Sequence, residues 1–542
     1  MNMDGDGAGD GPRERHPGAV RRRRRGLLGL LAGAVLLGCV ENPITGEREL
    51  GFVSMAQQIS IGEQQYAPAQ QMQGGRYQVD EALTGYVQRV GQRVADHSGV
   101  ELPYEFVVLN NSVPNAWALP GGKLAINRGL LTELRNEAEL AAVLGHEIVH
   151  AAGRHGAKAI ERGVVSQVVM VGVAIGAANT EYAGSALGAA QMAAGLLNQK
   201  YGRDAEREAD YYGTRFMARA GYDPYAAVTL QETFLRLSEG RSSSWLEGLF
   251  SSHPPSAERV ANNRSLVADL RAEGFAGGEF GADAYQAALR PLRRDAQAYA
   301  AYDEARELLA GDGSGRPTEA ALEQAESLLE RAIAQQDREA AFHGLRGDLR
   351  LAGRSYDAAE VDYDRAIERD DGYFAYYLGR GVARARQGRQ RQAEEDFSRS
   401  LGLLPTATAY SELGRLAESE GNVEAALRYY QTAAQSSSAV GRAAGERALR
   451  LDVPRHPERY LNARLSRDAA GRLVLQVSNA TGLPLDDIEL IVDTLDDAGR
   501  RARYQPTLSR LDGGASRLLL VTDQAGNVVD ARATVVAARV AG

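Results

Sequence analysis

Three patterns predict a multidomain, mostly α-helical protein with an α+β N-terminal part and a small C-terminal β-sandwich. The stretch AAVLGHEIVHAAGRH, Ala141–His155, sets polar residues into an apolar helix. A helical repeat runs through the second half of the chain. Strand-like alternation marks the C-terminal end. With 542 residues the chain is too long for one hydrophobic core, and two to four domains are expected. Hydrophobic content of 44% and charged content of 25% are those of a globular protein. A net charge of −9 argues against a nucleic-acid partner, because phosphate binding needs a basic surface. The single cysteine, Cys39, excludes an intramolecular disulfide.

Residues 1–38 read as a signal segment. Arg21 to Arg25 form a positive region, Gly26–Gly38 an apolar one, and Cys39 follows at once. The apolar run is short for a membrane span. Its LLGC ending resembles the bacterial lipoprotein signal, in which the cysteine is lipidated and becomes the first mature residue. The alternative is an uncleaved anchor with a buried cysteine. The polar residues 1–20 are an odd preface, and translation starting near Val20 would remove them. Val40, in place of the Asp that retains lipoproteins in the inner membrane, favours the outer membrane by the same resemblance.

A tether follows, and then a helix from about Ser54. Leu83–Gly99 has apolar residues at helical spacing. Tyr104–Asn110 reads as a strand, and Asn115–Leu131 as strand, Gly-Gly turn, strand. One of the strands in Asn115–Leu119 or Lys123–Asn127 is a candidate edge for an extended peptide. A helix from about Asn136 carries the polar motif. Residues 163–178 are apolar and Gly-rich and read as a core or cleft-lining helix. A polar helix begins near Arg203, and Ser251–Val260 reads as a loop leading into a helix.

Beyond about residue 290 the chain repeats. Ala325, Ala359, Ala393 and Ala426 are spaced by 34, 34 and 33 residues, and Leu329, Tyr363, Phe397 and Tyr430 keep the same spacing. Small residues let helices approach and large ones fill the next groove. This period and code are the tetratricopeptide signature, whose units stack into a solenoid with a concave binding face. From about residue 455, segments such as GRLVLQVSNAT and ARATVVAARV alternate around Asn, Gly and Asp turns, as in a small β-sandwich.

The chemistry is concentrated in two helices. His146 and His150 are four apart and share a helical face, where two imidazoles can bind one zinc ion. Glu147 lies beside them as a candidate base. Solvated polar residues are the alternative, but the apolar neighbours Val143, Leu144, Ile148 and Val149 argue for a buried helix, in which these groups need partners. A catalytic zinc needs a third protein ligand. In YGRDAEREADYYG, Glu206 and Asp210 share a face and Glu208 points away; a solvent-facing acidic helix is the competing reading.

HEIVH, followed some fifty residues on by Glu206, Ala209 and Asp210, resembles the zinc metallopeptidases that include the CAAX prenyl proteases and HtpX, metallopeptidase family 48. NAWALPGGKLAINRGLL and SSHPPSAER match the same pattern, and ENPITGERELGFVS resembles the start of its soluble periplasmic lipoprotein branch with a tetratricopeptide tail. The resemblance implies an α+β zincin-type catalytic domain holding one Zn2+ per chain. It makes His146, His150 and Glu206 the metal ligands and Glu147 the general base. Asp210 would orient a ligand histidine. His253 would be a catalytic residue, either a transition-state stabiliser or a displaceable fourth ligand. The expected divisions are a metallopeptidase domain over 39–270, a linker over 271–294, a tetratricopeptide domain over 295–452 and a β-sandwich over 453–542. The function so implied is a zinc endopeptidase of the bacterial envelope, anchored at the periplasmic side through Cys39. Its expected substrates are misfolded or stalled envelope proteins, and the outer-membrane assembly machinery is a possible partner of the repeats. The competing function is a chaperone or scaffold acting through the repeats, with a largely silent zinc site.

Overall fold

The computed structural model describes residues 38–162, 186–197, 200–240, 253–311, 317–522 and 528–542. The signal segment up to residue 37 and the Gly-rich stretch 163–178 lie outside them. Among the described residues, no helix is long and apolar enough to cross a membrane.

The described residues open with an antiparallel hairpin, Gly38–Glu41 with Arg48–Gly51. Helix Met55–Met72 starts at Ser54 with a reciprocal cap: Gln57 N donates to the Ser54 hydroxyl, and Ser54 N donates to the Gln57 side chain. Helix Glu81–Ala95 buries Leu83, Val87, Val90 and Val94, one face at helical spacing. A three-stranded sheet follows. Lys123–Asn127 is its centre, parallel to Glu105–Leu109 and antiparallel to Ala116–Leu119. Paired on both sides, Lys123–Asn127 has no free edge for a peptide, which corrects half of the sequence expectation. Ala116–Leu119 does lie at the edge.

The motif helix, Glu137–Ala152, starts at Asn136, whose side chain accepts from Glu139 N, and is buried almost all round. It packs against the acidic helix, Arg203–Arg219. Their approach depends on two glycines. A Cβ on Gly145 would lie 2.8 Å from the Gly213 carbonyl oxygen, and one on Gly213 would lie 2.7 Å from the Gly145 carbonyl carbon. Helices Tyr225–Gly240 and Ala257–Ala272 complete the surround.

The segment expected to be a linker is not an open tether. It contains helix Ala282–Arg294, which buries Tyr285, Leu289 and Leu292 in the same core as the motif helix. Those apolar residues recur at three- and four-residue spacing, so the helix has a face to bury. Tyr299 and Phe342, inside the expected repeat domain, belong to that core as well. The Arg128 guanidinium stacks 3.6 Å over the Tyr299 ring, and Tyr299 Oη donates to Glu339. Gln71, Gln78 and Asn110 hydrogen-bond to Gly372, Asp370 and Glu339. The repeats are therefore docked on the N-terminal half.

The repeats run as helix pairs: Ala296–Ala310 with Glu319–Gln335, Ala340–Ala352 with Tyr356–Arg369, Phe374–Arg386 with Gln390–Leu403, and Ala407–Ser419 with Val423–Ala433, followed by helix Ala439–Asp452. The small residues Ala325, Ala359, Ala393 and Ala426 are fully buried, as are Leu329, Tyr363, Phe397 and Tyr430. The Tyr363 ring lies where side chains on Gly347 and Gly379 would be.

At the C-terminus, Leu485–Asp496 pairs with Thr507–Leu511, Arg501–Tyr504 and Val528–Val540, and Leu473–Asn479 is the centre of a second, three-stranded sheet. Leu475 and Val477 of one sheet and Ile488, Leu490 and Val492 of the other share one buried core, as in a sandwich.

Candidate metal centre

The structure brings together His146, His150, Glu206 and His253, each offering one ligand atom, all within 4.8 Å of one another. His146 and His150 come from adjacent turns of the motif helix, with Nε2 atoms 3.0 Å apart. Glu206 enters from the acidic helix; its oxygens lie 3.4 Å from His150 Nε2 and 3.6 Å from His146 Nε2. His253 stands just before the helix capped by Ser256, with Nδ1 2.9 Å from Glu206 and 3.2 Å from His146 Nε2. Glu147 is buried beside them, its Oε1 3.6 Å from His253 Nε2. Asp210 does not enter the cluster. It lies 3.0 Å from His146 Nδ1, the nitrogen turned away from the ligand atoms.

Burial pushes the Glu147 carboxyl up, as a proton acceptor in a dry site requires. Burial also holds His150 far below the usual imidazole range, so it is neutral and keeps a lone pair for a metal. For Glu206 burial works upward, but the imidazoles of His253 and His146 outweigh it and hold the carboxyl below the usual range. Burial works downward on His253, and the Glu206 and Glu147 carboxylates outweigh it. Two buried carboxylates thus draw positive charge into one spot.

That spot suits a cation. Glu206 Oε2 and Glu147 Oε2 are buried and make no hydrogen bond, although the Glu206 oxygen lies 3.1 Å from the Arg259 guanidinium. Two or three imidazole nitrogens with one carboxylate oxygen form a zinc-type donor set.

Three residues of the site were not read from the sequence. Arg259 grips Asp210 with two hydrogen bonds of 2.8 Å and also faces Glu206. Its signal was available: it is the arginine of the quoted SSHPPSAER loop, three residues after the capping Ser256. His155 lies 2.7 Å from His150, Nδ1 to Nδ1. It stands one residue past Arg154, which takes a left-handed turn at φ 63° and sends the next helical segment back across His150. Tyr201 stacks on the His150 ring, with centroids 4.0 Å apart.

Residues 81–267 match the model of peptidase family M48. The chain carries an M48 peptidase domain. The mitochondrial metalloendopeptidase OMA1 of Schizosaccharomyces pombe is 34% identical over 224 residues, 40% of this chain and 63% of that protein. The β-barrel assembly-enhancing protease of Escherichia coli is 28% identical over 267 residues, 46% of this chain and 54% of that protein. The chain thus spans a little over half the length of these curated relatives. A solved tetratricopeptide protein from Thermus thermophilus is 21% identical, covers 33% of this chain and 92% of that one, and has a TM-score of 0.25. A score that low adds nothing to the helix pairing described above. M48 peptidases use zinc, and the four-residue cluster lies inside the matched domain.

Proposed function

We propose that the chain is a zinc endopeptidase of the bacterial envelope, cleaving misfolded or stalled proteins, with His146, His150 and Glu206 as its metal ligands. The observation that carries the reading is the convergence of those three residues beside a buried, unbonded Glu147 oxygen. Zinc bound there would supply an acidified water and an electrophile for the scissile carbonyl. Glu147 takes the proton as general base and hands it to the leaving amine. Asp210, gripped by Arg259, accepts from His146 Nδ1–H and fixes that ring with Nε2 toward the metal position. A small pocket lies beside Glu147 with Val143, Ala227, Leu230 and Phe234 in its walls. Those walls suit an apolar substrate side chain.

His253 is the restraint. Its Nδ1 sits among the ligand atoms, which supports its role as a fourth ligand in the resting site. A catalytic zinc site keeps one position open, so activity requires His253 to leave. The relatives' names motivate the envelope setting, and the LLGC motif motivates a lipid anchor at Cys39 on the periplasmic side of the outer membrane. The repeats would offer their concave face to substrates or to the assembly machinery. The test is cleavage of unfolded casein with and without a chelator. Cleavage that a chelator leaves unchanged would overturn the zinc peptidase reading. No cleavage by zinc-loaded protein, nor by a His253→Ala variant, would leave the scaffold function.

A further inference from the structure

We propose that His155 is a positioning residue for His150, and that a polar relay through the Glu208 carboxylate, itself held by Asn42, sets it. The inference rests on His150 being a metal ligand. Its Nε2 faces Glu206 and His146, so a metal takes the lone pair of that nitrogen. The proton of the neutral ring must then sit on Nδ1, and the partner the structure offers it is His155 Nδ1, 2.7 Å away. Accepting there forces His155 to carry its own proton on Nε2. That nitrogen lies 3.3 Å from Glu208 Oε1, an ion-pair contact without hydrogen-bond geometry, so the second proton sits beside a carboxylate. The His150–His155 link has one donor and one acceptor, the next sets an N–H against a carboxylate, and the direction is set at the metal end.

Glu208 is held in turn. Asn42 Nδ2 lies 3.2 Å from the same Oε1 and 3.4 Å from the Gly153 carbonyl oxygen, and Asn42 is fully buried. Asn42 follows directly on the strand that contains Cys39. The N-terminal hairpin is thus part of the scaffold of the centre. The two ligand histidines are served differently from one acidic helix: Asp210 receives His146 directly, and Glu208 receives His150 through an intervening imidazole. The relay aims His150 Nε2 at the ligand cluster and makes it a better donor, as a carboxylate behind a ligand histidine does.

Two substitutions separate this role from simple packing. In His155→Gln the side-chain carbonyl can accept from His150 and the amide can donate to Glu208, so the polarity of the relay is kept. In His155→Leu the space is filled and the relay is lost. Zinc affinity of the full chain, measured by competition with a chromogenic chelator, should fall about 10- to 100-fold in His155→Leu. It should stay near wild type in His155→Gln. Equal affinities in the two variants would overturn the relay. Wild type that binds no zinc would overturn the metal site itself, a distinct outcome. If His155→Leu does not fold, side-chain ¹⁵N spectra of zinc-loaded wild type decide: His155 must be protonated on Nε2, and a proton on Nδ1 sinks the proposal.

Discussion

Glu147 and Glu206 lie in one small cluster yet are held in opposite directions, Glu147 up by burial and Glu206 down by the imidazoles around it. That division fits a base and a ligand. Glu147→Gln should keep its zinc and lose peptidase activity by about 10²- to 10⁴-fold, the usual worth of a general base. Metal content and casein cleavage on the same preparation check this. His146→Ala and Glu206→Ala should lose the metal. Retained zinc in Glu206→Ala, with Glu208→Ala losing it, would mean that the ligand carboxylate is the other one. His253→Ala should raise basal cleavage, because the ring occupies the open position in the resting site. A rate that instead falls about 100- to 1,000-fold would overturn the restraint and make His253 an oxyanion donor. His146, Glu147 and His150 were legible because one helical turn joins them. Arg259 and His155 were not, because a buried arginine and a histidine beyond a left-handed turn acquire meaning only from what they touch.

Among the elements, the repeats were the most legible. A small residue and a large one at a constant interval report the same packing each time, and both are buried at every repeat. Helix Ala282–Arg294 was missed because a single short apolar face does not announce its partner. The crossing of the motif helix and the acidic helix was equally silent, since glycines at 145 and 213 look unremarkable apart. Gly213→Ala should force the helices apart, because its Cβ would meet the Gly145 carbonyl carbon at 2.7 Å, backbone that cannot yield. Displacing Glu206 from the two histidines should weaken zinc binding by at least about tenfold, given the precision that metal sites need. Calorimetric titration of the metal-free variant reads it. Unchanged affinity would show that the crossing tolerates a methyl group.

Across the whole molecule, the core does not respect the boundary drawn at residue 295. Tyr299 and Phe342 belong to the same buried core as the motif helix, and Tyr299 packs against Tyr77 and Arg128, so a chain cut after residue 294 loses two buried aromatic rings and exposes their partners. Each ring removed from a core costs about 3–5 kcal/mol. The 39–294 fragment should therefore melt well below the 39–353 fragment by differential scanning calorimetry. Equal melting temperatures would mean that the repeats are not part of the peptidase core. The docking surface also carries a pH signature. Asp370 accepts from Gln78, and burial, with Glu339 adding to it, pushes its carboxyl up to about 6. Its raised value favours the folded state fully below the unfolded pKa of about 3.9, and that benefit is lost as pH rises through about 6. Asp370→Asn should add on the order of 1–3 kcal/mol at pH 7 and flatten the pH dependence of melting between pH 4 and 7. A variant as pH-dependent as wild type would refute it.

The sequence by itself determined what is local or periodic: the histidine pair and its glutamate on one turn, the repeat register, the alternating strands, and the start of each helix where Ser54 and Asn136 cap it. Hydrogen-bond ladders and side-chain periodicity follow from neighbours in the chain, so these features could be read without a fold. Only the tertiary structure decided which carboxylate meets the histidines, that Arg259 and His155 stand behind them, and that the repeats share a core with the peptidase domain. Those contacts join residues tens to hundreds of positions apart, and they exist because burying apolar faces such as Tyr285–Leu292 and Tyr299 closes the chain on itself.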